Sequence, residues 1–189
     1  EYNNREMRYT EKKTANLAKT KQEYYILKKQ LLNELRNRAN KENRNFSVIC
    51  KILHVDGDEE YLKSCMKKYK ELELSAKGIY IPEKDQPSNI YKILITVNPD
   101  ILILTGHDGF LKGGENDPQN IKNYRNSAYF VDAIKEARRY EPNLDNLVIF
   151  AGACQSMYSA IITAGANFAS SPKRVLIHAL DPVLICKAV

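Results

Sequence analysis

The sequence predicts a doubly wound α/β domain, in which a mainly parallel sheet carries helices on both faces. Three features predict this fold. From Phe46 onward, short apolar runs alternate with amphipathic stretches that are long enough to form crossover helices. The apolar runs are nearly continuous, as in strands that are buried on both faces. Gly, Asn, Asp or Pro residues follow most of these runs and mark turns.

Five strands and four helices are predicted in this part of the chain. The strands are SVICKILHV (47–55), AKGIYI (76–81), DILILT (100–105), NLVIFA (146–151) and RVLIHAL (174–180). The helices are EEYLKSCMKKYKEL (59–72), SNIYKILITV (88–97), a long segment from about residue 120 to 140, and MYSAIITAG (157–165). Right-handed crossovers and short connections favour the strand order 2-1-3-4-5, which is that of flavodoxin-like sheets.

Residues 1–45 are predicted to form a charged helical arm, as a linker or propeptide-like segment, ahead of a domain over residues 46–189. The apolar residues of the arm at helical spacing are Leu17, Tyr24, Leu27, Leu31 and Leu35. This spacing predicts one amphipathic helix from about residue 10 to 38. Because the chain starts without Met and stops abruptly, we expect a piece of a longer protein whose domain is truncated at its C-terminus.

Composition and charge argue against several classes of protein. The hydrophobic fraction of 43% and the charged fraction of 28% are typical of a globular domain. No apolar run approaches the ~20 residues of a membrane span. The net charge of +6 comes from the arm, where twelve Lys and Arg face six Asp and Glu; without a recognisable motif, it predicts no nucleic-acid partner. The four cysteines lack CxxC or metal-like spacing, so we expect a reducing compartment, no metal and no cofactor.

Reactive side chains follow four of the five predicted strands. In a doubly wound sheet, catalytic groups lie beyond the carboxyl ends of the strands, near the switch in strand order. The residues at these ends are Asp56 and Asp58 after the first strand, His107 and Asp108 after the third, Cys154 after the fourth and Asp181 after the fifth. We therefore expect His and Cys on adjacent strand ends, with aspartates on either side.

Cys154 and His107 are predicted to form a nucleophilic pair. A cysteine in a strand is usually a small buried apolar residue, and Cys50 fits that interpretation. Cys154 instead lies where a helix is predicted to begin, so that the helix N-terminus and a nearby imidazolium would favour its thiolate. His107 lies between glycines beyond an apolar strand, an arrangement that exposes a side chain.

Two other interpretations of these residues remain open. A glutamine-amidotransferase-like hydrolase also places Cys on a strand–helix turn. It needs a glycine two residues later, where Ser156 stands, and a His–Glu pair, whereas His178 precedes Ala, Leu and Asp. A non-catalytic flavodoxin-like binding module would instead use Asp56 and Asp58 to hold a cation and would bury Cys154 in its core.

The surroundings of the pair resemble the caspase-like clan of cysteine peptidases. His107 precedes Cys154 by 47 residues, close to the roughly 50 of caspases. ILILTGHDG and LVIFAGAC are similar to the two marks of that clan, an apolar run ending in His-Gly and another ending in Ala-Cys or Asp-Cys. The backbone N–H groups of Gly109 and Cys154 are the expected oxyanion donors. Asp108, inserted before Gly109, departs from the pattern, and we expect it to orient His107 or its loop.

Four longer blocks resemble the YabG family of sporulation-specific proteases from spore-forming Firmicutes. They are HVDGDEEYL, PDILILTGHDG, LVIFAGACQS and AGANFASSPKRVLIHALDPV, and they span roughly residues 51–189. The resemblance implies a cysteine endopeptidase that cleaves after arginine, cuts itself, and processes spore coat and germination proteins. It also implies a location in the cytoplasm of the mother cell, or in association with the spore coat.

Cleavage after arginine would require a carboxylate in the primary specificity pocket, because a buried guanidinium needs a bidentate charged partner. Asp181 and Asp56 are the first candidates. Asp58 is the third, since it also has the position of a helix N-cap. Arg38 and Arg44 lie in polar sequence that a protease could reach, and they are the predicted self-cleavage sites.

Overall fold

The structure is a computed structural model, which describes residues 50–170 and 179–188. The predicted arm of residues 1–45, with Arg38 and Arg44, lies outside the described residues. His178 and most of the predicted strand at 174–180 lie outside them as well. The boundary proposed between arm and domain therefore stays a prediction.

Within the described residues, five parallel strands form the sheet in the order β2-β1-β3-β4-β5, which confirms the predicted order for the first four strands. The strands are β1 (Ile52–Asp56), β2 (Ala76–Tyr80), β3 (Ile101–Thr105), β4 (Val148–Ala151) and β5 (Phe168–Ala169). Ile52 pairs with Ile101, and Ile101 pairs with Val148, so the three central strands begin level with one another. Strands of similar length that begin level also end together, which brings the carboxyl ends of β1, β3 and β4 to one edge.

The α-helices within the described ranges are α1 (Glu59–Glu71), α2 (Gln86–Val97), α3 (Ser127–Tyr140), α4 (Tyr158–Thr163) and α5 (Asp181–Ala188). Short 3₁₀ helices occur at Glu83–Asp85, Gly114–Asn116 and Ile121–Asn123. Asp58 caps the start of α1, and α2 ends at Asn98, which takes the left-handed conformation with φ 48°. No helix of the described part has the length and apolar character that a membrane crossing requires.

Helices cover both faces of the sheet, as predicted. On one face, α2, α3 and α4 pack against a core that includes Leu53, Val55, Leu102, Leu104 and Ile149. On the other face, α1 and α5 pack against Ile52, Ile101, Ile103 and Phe150. Successive residues of a strand point to opposite faces, so every position of β1 and β3 is buried and the strands read as continuous apolar runs.

Three elements differ from the prediction. The described strand that pairs with β4 is Phe168–Ala169, which was not predicted because two residues with an exposed Phe168 form no apolar run that could be recognised; the strand predicted at 174–180 stays a prediction. Helix α3 begins at Ser127, because turns and the 3₁₀ helix at Ile121–Asn123 precede it. Asp181 begins helix α5, which was not predicted, and therefore does not follow a strand directly.

Candidate active site

Asp58 and His107 meet beyond the ends of β1 and β3. These strands pair in a register that sets Asp56 opposite Thr105, and the Gly57 N–H continues the ladder to the Thr105 carbonyl at 2.9 Å. Two residues past that pair, His107 Nε2 lies 2.8 Å from Asp58 Oδ2. An ionised carboxylate can only accept a hydrogen bond, so the imidazole donates through Nε2.

Asp58 also begins helix α1, as its N-cap position predicted. Its Oδ1 accepts the N–H groups of Glu60 at 2.8 Å and Tyr61 at 2.9 Å. The hydrogen bond from the Tyr61 backbone, followed by that of His107, holds the pKa of Asp58 below its ordinary value. The carboxylate is therefore ionised at neutral pH, and its direction is set by the helix that it caps.

Cys154 is the second residue of a tight turn that follows β4. The Ser156 N–H donates to the Ala153 carbonyl at 3.1 Å, and the Ala153 N–H donates to the Ser156 hydroxyl at 2.9 Å. Gly152 leads into the turn with φ 104°, where an added Cβ would lie 2.8 Å from Ile161 Cδ1. These constraints place the half-buried Cys154 at the tip of the turn.

The sequence predicted that Cys154 would lie where a helix begins, but the structure places it ahead of the first turn of the helix. Helix α4 begins only at Tyr158, and the field of a helix N-terminus falls off within about one turn. Within the described residues, the N–H groups of Cys154 and Gln155 donate to no acceptor. No described residue therefore competes for these two groups with a carbonyl oxygen that approaches the thiol.

A cavity of about 370 Å³ lies at the ends of β1, β3 and β4. Cys154, His107 and Asp56 line it, so three of the predicted site residues meet there. The other described residues of its lining are Tyr61, Thr105, Gly106, Gly152, Ala153, Ala179 and Pro182. Asp58 and Asp181 are not among these residues. Asp58 is bonded to His107, which lines the cavity, and Asp181 precedes Pro182, which also lines it. In residues 50–170 and 179–188, no group of three His, Cys, Asp or Glu side chains is placed to hold a metal ion.

Asp108 stabilises the loop that carries His107. Its Oδ1 accepts the N–H groups of Gly109 and Asn126, each at 2.8 Å, and its Oδ2 accepts the Ser127 hydroxyl. The Asn126 side chain in turn donates to the His107 carbonyl at 2.7 Å. The Gly109 N–H is thus already bonded, and the geometry differs here from the predicted oxyanion role of Gly109.

Ser127 connects the histidine loop to the cysteine turn. This residue is fully buried at the start of α3; its hydroxyl donates to Asp108 and accepts the Met157 N–H at 2.8 Å. The segments that carry His107 and Cys154 therefore share one hydroxyl group. Sequence reasoning missed this role, because it placed Ser127 inside the helix predicted from about residue 120 to 140, whereas the helix begins at Ser127.

Glu83 is a second residue that the sequence did not indicate. It lies just beyond β2, and its Oε1 accepts the backbone N–H of His107 at 2.6 Å. Gly57 and Gly106 provide the space, because a Cβ on either would lie 2.3 Å from an atom of the Glu83 carboxyl group. The glycines at these strand ends therefore admit a carboxylate of the chain itself.

Asp56 is almost completely buried and ends a chain of polar groups. The Thr105 hydroxyl donates to Asp56 Oδ2 and accepts from His54 Nε2, each at 2.7 Å. The other ring nitrogen of His54 lies 3.1 Å from the Tyr69 hydroxyl, whose oxygen is 3.8 Å from the Cys186 sulfur. The Thr105 hydroxyl has a single proton, which it donates to the Asp56 carboxylate. His54 therefore donates to Thr105 through Nε2, and its other ring nitrogen accepts from the Tyr69 hydroxyl. This chain of hydrogen bonds fixes the direction of the Asp56 carboxylate.

The fold and this cavity define a class of protein: parallel α/β domains that present a thiol and an imidazole from neighbouring strand ends. A family model described as YabG peptidase U57 matches residues 1–189. The sporulation-specific protease YabG of Bacillus subtilis (strain 168) is 46% identical to this chain over 171 residues. The chain belongs to the YabG peptidase U57 family, as the four sequence blocks predicted.

The matched region covers 89% of this chain and 55% of the Bacillus subtilis protein, so the chain spans about half the length of that curated relative. Two solved structures are also similar in their arrangement of strands and helices. A cobalamin-binding protein from Desulfitobacterium hafniense DCB-2 has a TM-score of 0.47 and 19% identity, over 74% of this chain and 58% of that one. The response regulator RcsB of Salmonella typhimurium has a TM-score of 0.46 and 16% identity, over the same shares.

Proposed function

We propose that this chain carries the catalytic domain of a cysteine endopeptidase, with Cys154 as nucleophile and His107 as general acid and base. One observation carries the proposal: the two side chains line a single cavity from neighbouring strand ends. Membership of a peptidase family and the likeness to a sporulation-specific protease support it. The glutamine-amidotransferase-like alternative depends on His178, which lies outside the described residues, and has no comparable support.

The reaction begins when the Cys154 thiol transfers its proton to His107. The thiolate attacks the scissile carbonyl carbon, and the C–N bond of the tetrahedral intermediate breaks as His107 returns that proton to the leaving amine. Water then gives a proton to His107 and its hydroxyl to the acyl carbon; the C–S bond breaks to release the acid, and His107 returns the proton to the thiolate. The N–H groups of Cys154 and Gln155 stabilise the oxyanion, because that of Gly109 is bonded to a carboxylate.

Selectivity for arginine is the second part of the proposal, and Asp56 is its carboxylate. Asp56 lines the same cavity as Cys154, and its buried position would strengthen a bidentate pair with a guanidinium. Asp58 is less suited, because it is not among the described residues that line the cavity and its Oδ2 is bonded to the proposed catalytic imidazole. Asp181 begins α5, outside the described lining of the cavity.

The natural substrates that we propose are spore coat and germination proteins, processed in the mother cell or at the spore coat. The name of the Bacillus subtilis relative, a sporulation-specific protease, supports a role in sporulation. The chain itself is a further substrate, with Arg38 and Arg44 as cleavage sites. These arginines stand in a segment without Pro or Gly and rich in charged residues, which a protease reaches readily when it is exposed.

Single substitutions test the proposed pair. We expect Cys154→Ala and His107→Ala each to abolish cleavage of an arginine-containing peptide, while the matched variant Cys50→Ala cleaves at the wild-type rate. Circular dichroism of all three variants controls for folding. Cleavage by folded Cys154→Ala at the wild-type rate would exclude it as the nucleophile.

A further inference from the structure

We propose that Asp58 is a positioning residue, which holds the His107 imidazole by Nε2 so that Nδ1 exchanges protons with Cys154. The inference rests on the proposed function and adds a third member to the predicted pair. The observation that carries it is the 2.8 Å hydrogen bond between His107 Nε2 and Asp58 Oδ2. Both residues lie two positions beyond a strand pair whose register is fixed, so the contact follows from the sheet itself.

The Asp58 carboxylate is oriented before the imidazole reaches it. Its Oδ1 is bonded to the N–H groups of Glu60 and Tyr61, and its own N–H is bonded to Asp56 Oδ1. With the backbone and one oxygen held, Oδ2 points to the space that His107 occupies. The side chain of His107 is 56% exposed. Without the hydrogen bond to Asp58, the ring would rotate about its side-chain dihedral angles and lose its orientation.

The bond has two chemical consequences for the imidazole. In the neutral ring, donation through Nε2 leaves Nδ1 as the nitrogen with a lone pair, so Nδ1 is the acceptor for the thiol proton. In the protonated ring, the adjacent negative charge stabilises the imidazolium that forms when Cys154 ionises. Asp58 therefore favours the reactive thiolate–imidazolium form over the neutral pair.

Other polar groups surround His107, but they act on different atoms. Glu83 accepts the backbone N–H of His107, and the ring of Tyr61 packs edge-on against the imidazole at a centroid distance of 5.5 Å. Asp108 accepts backbone N–H groups of the loop that carries His107. Asp56 and Cys154 line the cavity that the ring also lines. In the described part of the chain, Asp58 is the carboxylate that is bonded to the imidazole itself.

The test compares Asp58→Asn with wild type, because Asn caps a helix about as well as Asp. The amide keeps an acceptor for Glu60 and Tyr61 but removes the negative charge beside the ring. We expect NMR of the imidazole nitrogens to show that the neutral ring of His107 no longer carries its proton on Nε2, because the amide N–H₂ now faces that atom, and kcat to drop about 10- to 100-fold with KM nearly unchanged. The alkylation rate of Cys154 by iodoacetamide at pH 6 should fall with it.

Two further variants make the result decisive. Asp58→Ser retains a capping hydroxyl and should behave like Asp58→Asn, whereas Asp132→Asn, which removes an exposed carboxylate from α3, should behave like wild type. If the position of the proton on the His107 ring and kcat are both unchanged in Asp58→Asn, the inference is wrong. If instead Cys154→Ala keeps its cleavage activity, the proposed function fails, and NMR of the imidazole nitrogens still shows whether Asp58 holds the ring.

Discussion

At the scale of single residues, three aspartates that look alike in the sequence have different partners. Asp56 is buried and bonded to Thr105, Asp58 caps α1 and binds the imidazole, and Asp108 holds backbone N–H groups of its own loop. All three lie at or just beyond the end of an apolar strand, and their residue type alone does not distinguish them. The difference arises from the direction of each side chain relative to the sheet edge.

Thiol reactivity is the prediction that belongs to this scale. Burial raises the pKa of Cys65 to about 12 and that of Cys186 to about 11. At pH 7 these thiols are ionised in at most about one molecule in 10⁴, whereas Cys154 lies in an open cavity. We expect iodoacetamide to modify Cys154 long before Cys65 or Cys186, as measured by peptide mass mapping. Unfolding in urea is the control that should make all of them react, and equal rates in the folded chain would contradict the burial.

At the scale of elements, most helices and strands were predictable, and β5 and α5 were not. The apolar residues of α1 recur at helical spacing, and β1 and β3 are apolar because both of their faces are covered. β5 has only two residues, and α5 follows a segment whose sequence resembles a strand. The local sequence pattern therefore predicts neither element. The meeting of Asp58 with His107 was equally out of reach, because it depends on the register of β1 with β3.

The connection between α3 and the two loops yields a prediction. Ser127→Ala removes the hydroxyl that joins Asp108 to the Met157 N–H, and it should cost about 1–3 kcal/mol of unfolding free energy because two half-buried partners each lose a hydrogen bond. We expect kcat to fall as well, since the loops of His107 and Cys154 lose their shared contact. Urea unfolding and peptide cleavage measure the two effects.

The matched control for this substitution is Ser159→Ala, on the exposed side of α4. It should leave both stability and kcat near the wild-type values. If Ser127→Ala behaves like this control, the shared hydroxyl does not brace the site.

The start of α1 gives a prediction with a defined pH dependence. The folded-state pKa of Asp58 is lowered from its ordinary 3.8, so its contribution to stability is present above that value and is lost as pH falls through the folded pKa. We expect Asp58→Ala to cost about 1 kcal/mol at pH 7 and less at pH 3. Urea unfolding at both pH values measures this, with Asp132→Ala as the control. A loss that is the same at both values would show that the charge of Asp58 does not contribute.

At the scale of the whole molecule, the aligned sheet explains why one edge holds the chemistry. The central strands begin level, and their ends bring Asp56, His107 and Cys154 to one cavity. Beneath it, the polar chain through Thr105, His54 and Tyr69 ties β1 and β3 to α1. The sequence predicted the edge from the strand order, but it gave no sign of this chain, since His54 and Tyr69 lie fifteen positions apart in different elements.

The buried chain of hydrogen bonds from Tyr69 to Asp56 gives a prediction at this scale. Tyr69→Phe leaves the accepting nitrogen of His54 without a donor in an environment that excludes water, so it should cost about 1–3 kcal/mol of unfolding free energy. Tyr158→Phe, at an exposed tyrosine of α4, is the matched control and should have almost no effect. Equal unfolding midpoints for the two variants would mean that the chain does not stabilise the domain.

Covalent trapping tests the central claim most directly. The chain is incubated with a peptidyl chloromethyl ketone that carries arginine at the position of cleavage, and the adduct is located by mass spectrometry. We expect a single adduct, on Cys154, that forms faster than with the matched citrulline compound, which keeps the shape of arginine but lacks its charge. An adduct on Cys50 instead, or equal rates with the two compounds, would contradict an arginine-directed cysteine nucleophile at this site.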